Sequence, residues 1–455
     1  MAPPDKRTKS SKDTRSSRRS GPRPGGKGRP KPGGRGRPEG KPRSRGFSKD
    51  RAPRRNYDLK LVATCALGLE LTVGRELEAL GLGPIRRDNA QVSFPFSPEA
   101  VAKANYWLRT ADRVWLQLAE FPARDFEELF QGVKGVDWPS MLPGDAEFPI
   151  EVISTKSTLH SISACQSVSK KAAVERMQQV YGRSQFAETG PRFAIRVFIV
   201  NNVARVFIDT SGEGLHRRGY RTYNAKAPLR ETVAAALVLL SHWSLERELY
   251  DPLCGSGTIL LEAACIGLKK AAGMERSFAS QRWKFLGREC WESAHKEAMD
   301  LYDRRTQLKL YGSDNDGRVL KLARTHLAQA DLEGRGVFFQ TRDVADFSSQ
   351  RKYGVVITNP PYGRRLGTAE EVEELTRTLA SVFEPLAETW SLYYYTGYEK
   401  FAEVYGRQPD RVRKIYNGRL PANLLQYPGP KPPNIDPNGE SGGTSARVKR
   451  IRLSP

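Results

Sequence analysis

The sequence lacks any pair of cysteines at CxxC spacing; its five cysteines, at 65, 165, 254, 265 and 290, form an odd and scattered set. That excludes a disulfide framework and a zinc ribbon as organising devices, and makes a reducing compartment, the cytoplasm, the expected location. The five histidines, at 160, 216, 242, 295 and 326, show no ligand spacing, so no metal is expected. Long apolar runs are missing too. The best, Val233 to Leu240, falls well short of the ~20 residues that a spanning helix needs. No apolar stretch follows the basic N-terminus, so it does not read as a secretory signal, and no membrane association is expected. Aromatic residues are absent from the first 55 positions except for Phe47.

What the chain has in excess is positive charge. Its 455 residues leave room for two or three domains of ~100–200 residues each. The formal net charge is +23, and most of it sits at one end: residues 1–55 hold 20 Lys and Arg against 4 Asp and Glu, with nine Gly, nine Pro and seven Ser. Such a segment buries too little apolar surface to offset chain entropy, and it reads as a disordered polycation. A polyanion suits it, since each phosphate neutralised releases counterions. A solubilising or targeting tail has the same composition, but the rest of the chain is also basic, which favours nucleic acid.

Beyond the tail, Lys60–Cys65 and Gln91–Phe96 read as strands, Leu69–Leu80 as a helix, and Ser97-Pro98-Glu99 as a second helix start. Phe126–Val133 and Ser161–Tyr181 read as helices, the second basic at Lys170 and Lys171. Phe148–Ser154, Ala194–Val200 and Ala204–Asp209 read as strands, the last two joined at Asn201-Asn202, which tolerates positive φ in a hairpin turn. Trp107, Trp115 and Trp138 are expected in the core. From Arg230 onward helices and apolar strands alternate, which predicts a parallel sheet covered on both faces. Arg411–Tyr416 and Asn423–Tyr427, joined through Asn417–Pro421, predict a terminal antiparallel hairpin. Residues 429–455 are rich in Pro, Gly and Ser and read as a flexible tail.

Three constellations carry chemistry. Asp251-Pro252-Leu253-Cys254-Gly255-Ser256-Gly257-Thr258 links a strand to a helix. Its glycines let the backbone approach a ligand, and the helix start supplies free amides. It is not a GxGxxG fingerprint and has no phosphate-loop lysine, so an acidic residue opening the turn suits a ligand with an ammonium or hydroxyls. A tight strand-to-helix turn would look the same. Asp314 ends the next strand, where an acidic residue often accepts ribose hydroxyls, and Asp343 follows the third, where it can accept from an adenine amino group; both also suit capping. Asn359-Pro360-Pro361-Tyr362 follows the fourth strand. Two prolines hold the backbone rigid. The Asn359 side-chain oxygen and the Pro360 carbonyl can then take both hydrogens of one planar amine, while Tyr362 offers a face to a base. Cys254 has no identifiable base partner and reads as pocket lining.

In this order the motifs resemble a class I S-adenosylmethionine-dependent methyltransferase that modifies amino groups. The wider run His216-Arg217-Arg218-Gly219-Tyr220-Arg221, Ala227-Pro228-Leu229-Arg230-Glu231-Thr232, the Asp251–Thr258 turn, Tyr416-Asn417-Gly418-Arg419-Leu420 and Leu425-Gln426-Tyr427 resembles the bacterial THUMP-containing 23S ribosomal RNA guanine-N2-methyltransferases, over about residues 57–428. The resemblance implies an α/β fold: a Rossmann-like doubly wound sheet with an antiparallel terminal hairpin at 213–428, after a ferredoxin-like α+β unit at 56–114 and a THUMP RNA-binding domain at 115–212. It implies S-adenosylmethionine as cofactor and 23S ribosomal RNA or a large-subunit precursor as partner. Asp251, Gly255 and Gly257 would shape the methionine side of the cofactor pocket, Asp314 would hold the ribose, and Asp343 would lie near the adenine. Asn359, Pro360 and Tyr362 would hold the target base, which must be unpaired or flipped out to enter.

For RNA contact, Arg217, Arg218, Tyr220 and Arg221 combine charge with stacking capacity, although a domain-bridging ion-pair cluster has the same composition. Lys170, Lys171 and Arg364 are further candidates. The rival readings are a THUMP-type transfer RNA guanosine methyltransferase, adenine-N6 methylation of DNA, glutamine methylation of protein, and a non-enzymatic RNA-binding assembly factor. The separate front half and basic connector favour RNA, and both motifs are intact, which disfavours the non-enzymatic reading.

Overall fold

The computed structural model describes residues 59–221, 229–362, 368–418 and 420–433. The basic segment 1–55, the chain beyond 433, residues 222–228 of the connector and Arg364 lie outside the described residues.

The N-terminal half contains β1 (Lys60–Cys65), α1 (Glu70–Ala79), β2 (Arg86–Asp88), β3 (Gln91–Pro95), α2 (Pro98–Trp107), β4 (Ala111–Pro122), α3 (Phe126–Lys134), β5 (Ile150–Thr155), α4 (Ile162–Tyr181), β6 (Ile195–Val200) and β7 (Val203–Asp209). Its strands form one seven-stranded sheet in the order β2-β3-β1-β4-β7-β6-β5. Period-2 alternation sends Leu61 and Ala63 of β1 into the main core beneath the helices, while Val62 meets Trp115 and Phe207 on the opposite face. The Arg196 guanidinium lies 5.0 Å from the Trp115 ring on that face. Asn201 and Asn202 take φ of 51° and 62°, which makes the β6–β7 turn as expected. Trp107, Trp115 and Trp138 are buried, as the sequence suggested.

The boundary expected between residues 114 and 115 falls within β4. This 12-residue strand pairs with β1 from Thr64↔Arg113 to Lys60↔Gln117 and with β7 from Trp115↔Asp209 to Pro122↔Val203. It is long enough to serve both units, so they share a single sheet.

The C-terminal half contains α5 (Glu231–Leu240), β8 (Leu249–Asp251), α6 (Thr258–Gly267), α7 (Glu289–Leu301), β9 (Leu310–Asp314), α8 (Gly317–Gln329), β10 (Val337–Thr341), β11 (Val355–Thr358), α9 (Ala369–Phe383), β12 (Ser391–Thr396), α10 (Phe401–Tyr405), β13 (Arg411–Asn417) and β14 (Leu420–Tyr427). The sheet order is β10-β9-β8-β11-β12-β14-β13, with β14 antiparallel to both neighbours and the rest parallel. The parallel strands are those that the alternation predicted, and the doubly wound order with its antiparallel hairpin is the one that the resemblance implied. The hairpin turn is tighter than expected, because Asn417 pairs directly with Leu420 and Gly418 takes φ +67°. Chain order reverses between β8 and β11, which places the ligand crevice at their carboxyl ends.

The halves meet through a buried polar junction. Arg218 is 4 % exposed and Glu262, in the apolar helix α6, 1 %. Two guanidinium nitrogens of Arg218 each donate to Glu262 at 3.1 Å, and Arg218 also donates to the Arg109 and Leu215 carbonyls. The Tyr220 hydroxyl donates to Glu262 Oε1 at 3.0 Å. Burial opposes the charge on Arg218, but Glu262 more than offsets it. On the N-terminal side, buried Glu76 accepts from the backbone N–H groups of Arg109 and Thr110 at 2.8 and 3.1 Å. Removing one partner of a buried pair strands the other. Glu262→Ala is therefore expected to destabilise the protein by about 3–5 kcal/mol, read as a shifted midpoint in urea unfolding; a change under about 1 kcal/mol would contradict this role.

Candidate active site

The site begins where β8 ends. Asp251 is 2 % exposed, and its Oδ1 accepts the Thr358 hydroxyl at 2.7 Å and the Leu253 N–H at 3.3 Å. Thr358 is the last residue of β11, so this bond ties the two strand ends at the crevice. Burial pushes the Asp251 carboxyl up to about 7; the two hydrogen bonds pull it down, and Asp314 adds to the rise.

The turn after Asp251 is set by backbone demands. Gly255 has φ +52°, and a Cβ there would meet nothing within 4 Å, so this side of the turn is open. Gly257 has φ +79°, and a Cβ there would stand 2.7 Å from the Phe339 ring. At Gly257, then, both conformation and close packing require glycine. The Gly255 N–H donates to Asp314 Oδ2 at 2.9 Å, and the Asp316 N–H to Asp314 Oδ1 at 3.0 Å. Asp314 thus clips the glycine turn to the end of β9; the cap of α8 is Asp316 instead. Asp343 is exposed and caps a short 3-10 turn, its Oδ1 accepting the Ala345 N–H at 2.9 Å. His326, buried on α8, places Nδ1 3.3 Å from the Ser256 carbonyl and braces the turn from behind. Burial raises the Cys254 thiol well above its ordinary value, which fits a lining residue and not a nucleophile.

At the end of β11, Asn359 is half-buried, and its side-chain oxygen is buried with no hydrogen-bond partner among the described residues. A buried acceptor left unpaired costs ~1–3 kcal/mol, so its natural complement is a donor brought by a ligand. Tyr362 is half-buried, and burial raises its hydroxyl pKa. A Cβ on Gly397, just after β12, would reach within 2.7 Å of the Tyr362 ring, so the glycine makes room for it. The open turn at Gly255 and the unpaired Asn359 acceptor fit a bound cofactor and a bound amine respectively.

The expected RNA-contact residues divide. Arg218 and Tyr220 are buried in the junction and cannot meet RNA. Arg221 is also committed internally: it donates to Thr258 Oγ1 and the Leu229 carbonyl and lies 3.3 Å from Glu231, with its side chain 9 % exposed. Thr258 opens α6, so the connector holds the helix that carries the glycine turn. The ion-pair reading of this cluster is the correct one for these three residues. Lys170 donates to the Phe148 carbonyl at 3.0 Å and pairs with Glu188 at 2.7 Å, so its charge is matched within the N-terminal half. Arg217, whose side chain is 66 % exposed, and Lys171 remain on the surface.

Thr358, Glu262 and Gly397 were missed from sequence. A lone Glu262 inside Thr-Ile-Leu-Leu-Glu-Ala-Ala-Cys-Ile-Gly was the one available signal, since a solitary carboxylate in an apolar helix needs a partner.

Comparison with known proteins agrees with this architecture. The family described as the RMKL-like methyltransferase domain matches residues 218–426, the RlmL ferredoxin-like domain matches 60–115, and the THUMP domain matches 123–209. The chain is 40 % identical over 369 residues to the putative RNA methyltransferase YpsC of Bacillus subtilis (strain 168), covering 81 % of this chain and 95 % of that protein. It is 32 % identical to the ribosomal RNA large subunit methyltransferase K/L of Marinobacter nauticus, covering 80 % of this chain but 52 % of that longer protein. Among solved structures, SMU.472, a putative methyltransferase complexed with SAH, superposes with a TM-score of 0.78 at 41 % identity, covering 82 % of this chain and 98 % of that one. With its glycine turn, its Asn-Pro-Pro-Tyr strand end and its shared front sheet, this chain belongs to the RMKL-like methyltransferase family.

Proposed function

We propose that this protein transfers a methyl group to the exocyclic N2 of a guanine in 23S ribosomal RNA, with S-adenosylmethionine as its cofactor. The observation that carries the amine reading is the buried side-chain oxygen of Asn359 at the end of β11, which has no hydrogen-bond partner among the described residues. The ribosomal substrate is supported by the K/L relative and by the RNA methyltransferase relative.

The cofactor supplies an electrophilic methyl group; the chain's own residues hold and orient. Asp251, Gly255 and Gly257 would shape the methionine side and Asp314 the ribose side, with Asp343 toward the adenine. An exocyclic aromatic amine is a poor nucleophile, because its lone pair is delocalised into the ring. Asn359 Oδ1 and the Pro360 carbonyl, accepting its two hydrogens, favour pyramidalisation and concentrate electron density on nitrogen. Pro360 and Pro361 hold these acceptors in place before the base arrives, so positioning and electrostatics carry the catalysis. Tyr362 would pack on the extruded base. Arg217 and Lys171 are the exposed basic residues retained for RNA contact.

The direct test is nucleoside mass spectrometry of 23S, 16S and transfer RNA with and without the gene. Loss of N2-methylguanosine from 23S alone is expected; loss from transfer RNA alone, or from none, would overturn the substrate assignment. Asn359→Ala is expected to lower kcat about 100-fold or more, the range for a lost transition-state hydrogen-bond partner, while S-adenosylhomocysteine affinity stays within twofold. Parental turnover would remove Asn359 from the mechanism.

Asp251 generates a pH dependence. Its folded pKa, about 7, lies above the ordinary carboxylate value, so in the free protein this group favours folding at low pH. That contribution fades as pH rises from ~4 to ~7. A cationic ammonium favours the ionised carboxylate, so S-adenosylhomocysteine affinity is expected to rise between pH 6 and 8 with proton release on binding. Calorimetry in buffers of different ionisation enthalpy reads that proton, and Asp251→Asn is expected to abolish its release.

A further inference from the structure

One face of the catalytic sheet is left bare at its edge. β10 is an edge strand, hydrogen-bonded among the described residues only to β9. The connection from β10 to β11 carries a single 3-10 turn, Val344–Asp346, where a covering helix would otherwise lie. The opposite face is closed: Phe339 points inward and packs against Gly257 and Gly312.

On the bare face three rings stand in register across three strands. Tyr250 pairs with Tyr311, and Tyr311 with Phe338. The Tyr250 and Tyr311 rings stack at 4.9 Å and 23°, and Tyr311 and Phe338 at 5.8 Å and 16°. Exposure grows outward: Tyr250 and Tyr311 are half-buried, and Phe338 is 58 % exposed. Tyr311 covers one face of the Phe338 ring, so the stack ends at the sheet edge in an open aromatic face.

Two polar residues continue the row. Gln340 follows Phe338 at a step of two and shares its side of β10, and Arg342 comes just past the end of the strand. All three line one open groove that runs up to Asp251, Pro252 and Ser313 at the crevice. Gln340 is exposed. The Arg342 guanidinium donates to the Asp346 carbonyl and lies 5.5 Å from the Phe347 ring, and no carboxylate among the described residues pairs with it. The Arg342 backbone N–H donates to the Asp314 carbonyl at 3.1 Å, so this row abuts the candidate cofactor site. An open ring face, an amide and an unmatched guanidinium are the groups that take a base, a base edge and a phosphate.

We propose that Phe338, Gln340 and Arg342 form a docking site for an unpaired nucleotide of the substrate RNA, with its base extending the Tyr250–Tyr311–Phe338 stack. This deepens the functional reading above and rests on it. The nucleotide bound here is distinct from the target base, because Asn359 lies at the end of β11, three strands from Phe338 with β9 and β8 between. A nucleotide is favoured over a protein partner because the Arg342 guanidinium at the upper end of the row has no carboxylate partner among the described residues, which leaves its charge for a phosphate.

The test is steady-state methylation of unmodified, transcribed 23S ribosomal RNA by the full chain and by Phe338→Ala and Phe338→Trp. Phe338 is largely exposed, so both variants are expected to fold, which melting temperature and S-adenosylhomocysteine affinity check. Loss of one base–aromatic stack predicts that Phe338→Ala raises the KM for RNA by roughly five- to a hundredfold, with kcat changed less than twofold, and that Phe338→Trp restores the parental KM. Parental KM in Phe338→Ala would overturn the proposal. So would an unchanged KM together with a lower solution mass, which would make this face a protein contact. Failure of the parental chain to methylate any RNA is a different result: it would remove the functional reading and this site with it.

Discussion

A guanidinium sealed from water must be matched, and the matching of Arg218 organises this molecule. Its partner, Glu262, sits inside a helix that is otherwise apolar. Neither charge is tolerable alone, so α6 and the connector are held in one relation. One turn before Glu262 on that helix, Thr258 takes the Arg221 guanidinium, and immediately before Thr258 lies the glycine turn. The same Arg218 also holds the Arg109 carbonyl of the N-terminal half. The geometry of the glycine turn is thus set from outside its own domain. That couples the half that would grip RNA to the half that would transfer the methyl group.

The candidate site uses burial in two opposite ways. At Asp251 burial is nearly complete and raises the carboxyl pKa, leaving a group whose charge a cation can draw out. At Asn359 burial isolates a neutral acceptor without filling it. Both sit at strand ends flanking the reversal of chain order, and the Thr358 hydroxyl connects the two strands directly. The one site therefore has a charge-sensitive side and a charge-neutral side a single strand apart.

Much of the C-terminal half was legible in the sequence, because parallel strands buried on both faces are continuous apolar runs punctuated by glycine and acidic turns. Asp251, Gly255, Gly257 and Asn359 all occur at such punctuation. β4 was not legible: Arg113, Gln117 and Glu120 interrupt its apolar residues, and the partners of Arg113 and Glu120, Asp209 and Arg205, lie some 85 or more positions on, in β7. The connector misled for a related reason. Arg218, Tyr220 and Arg221 look like surface residues until their partners are known, and Glu262 lies 44 positions from Arg218. Local pattern reports where a helix or strand forms; it does not report which distant carboxylate a buried arginine will find.

The long strand shared by the two N-terminal units has a mechanical consequence. β4 has 12 residues, and at ~3.3 Å per residue it runs roughly 40 Å. Bonded along one edge to β1 and along the other to β7, it carries one sheet from the first unit into the second. The junction at Arg109 and Arg218 then fixes that plate to the catalytic half. For the RNA substrate proposed above, such an arrangement would act as a caliper, in which a base is chosen by its distance along the RNA from the segment held by the front half.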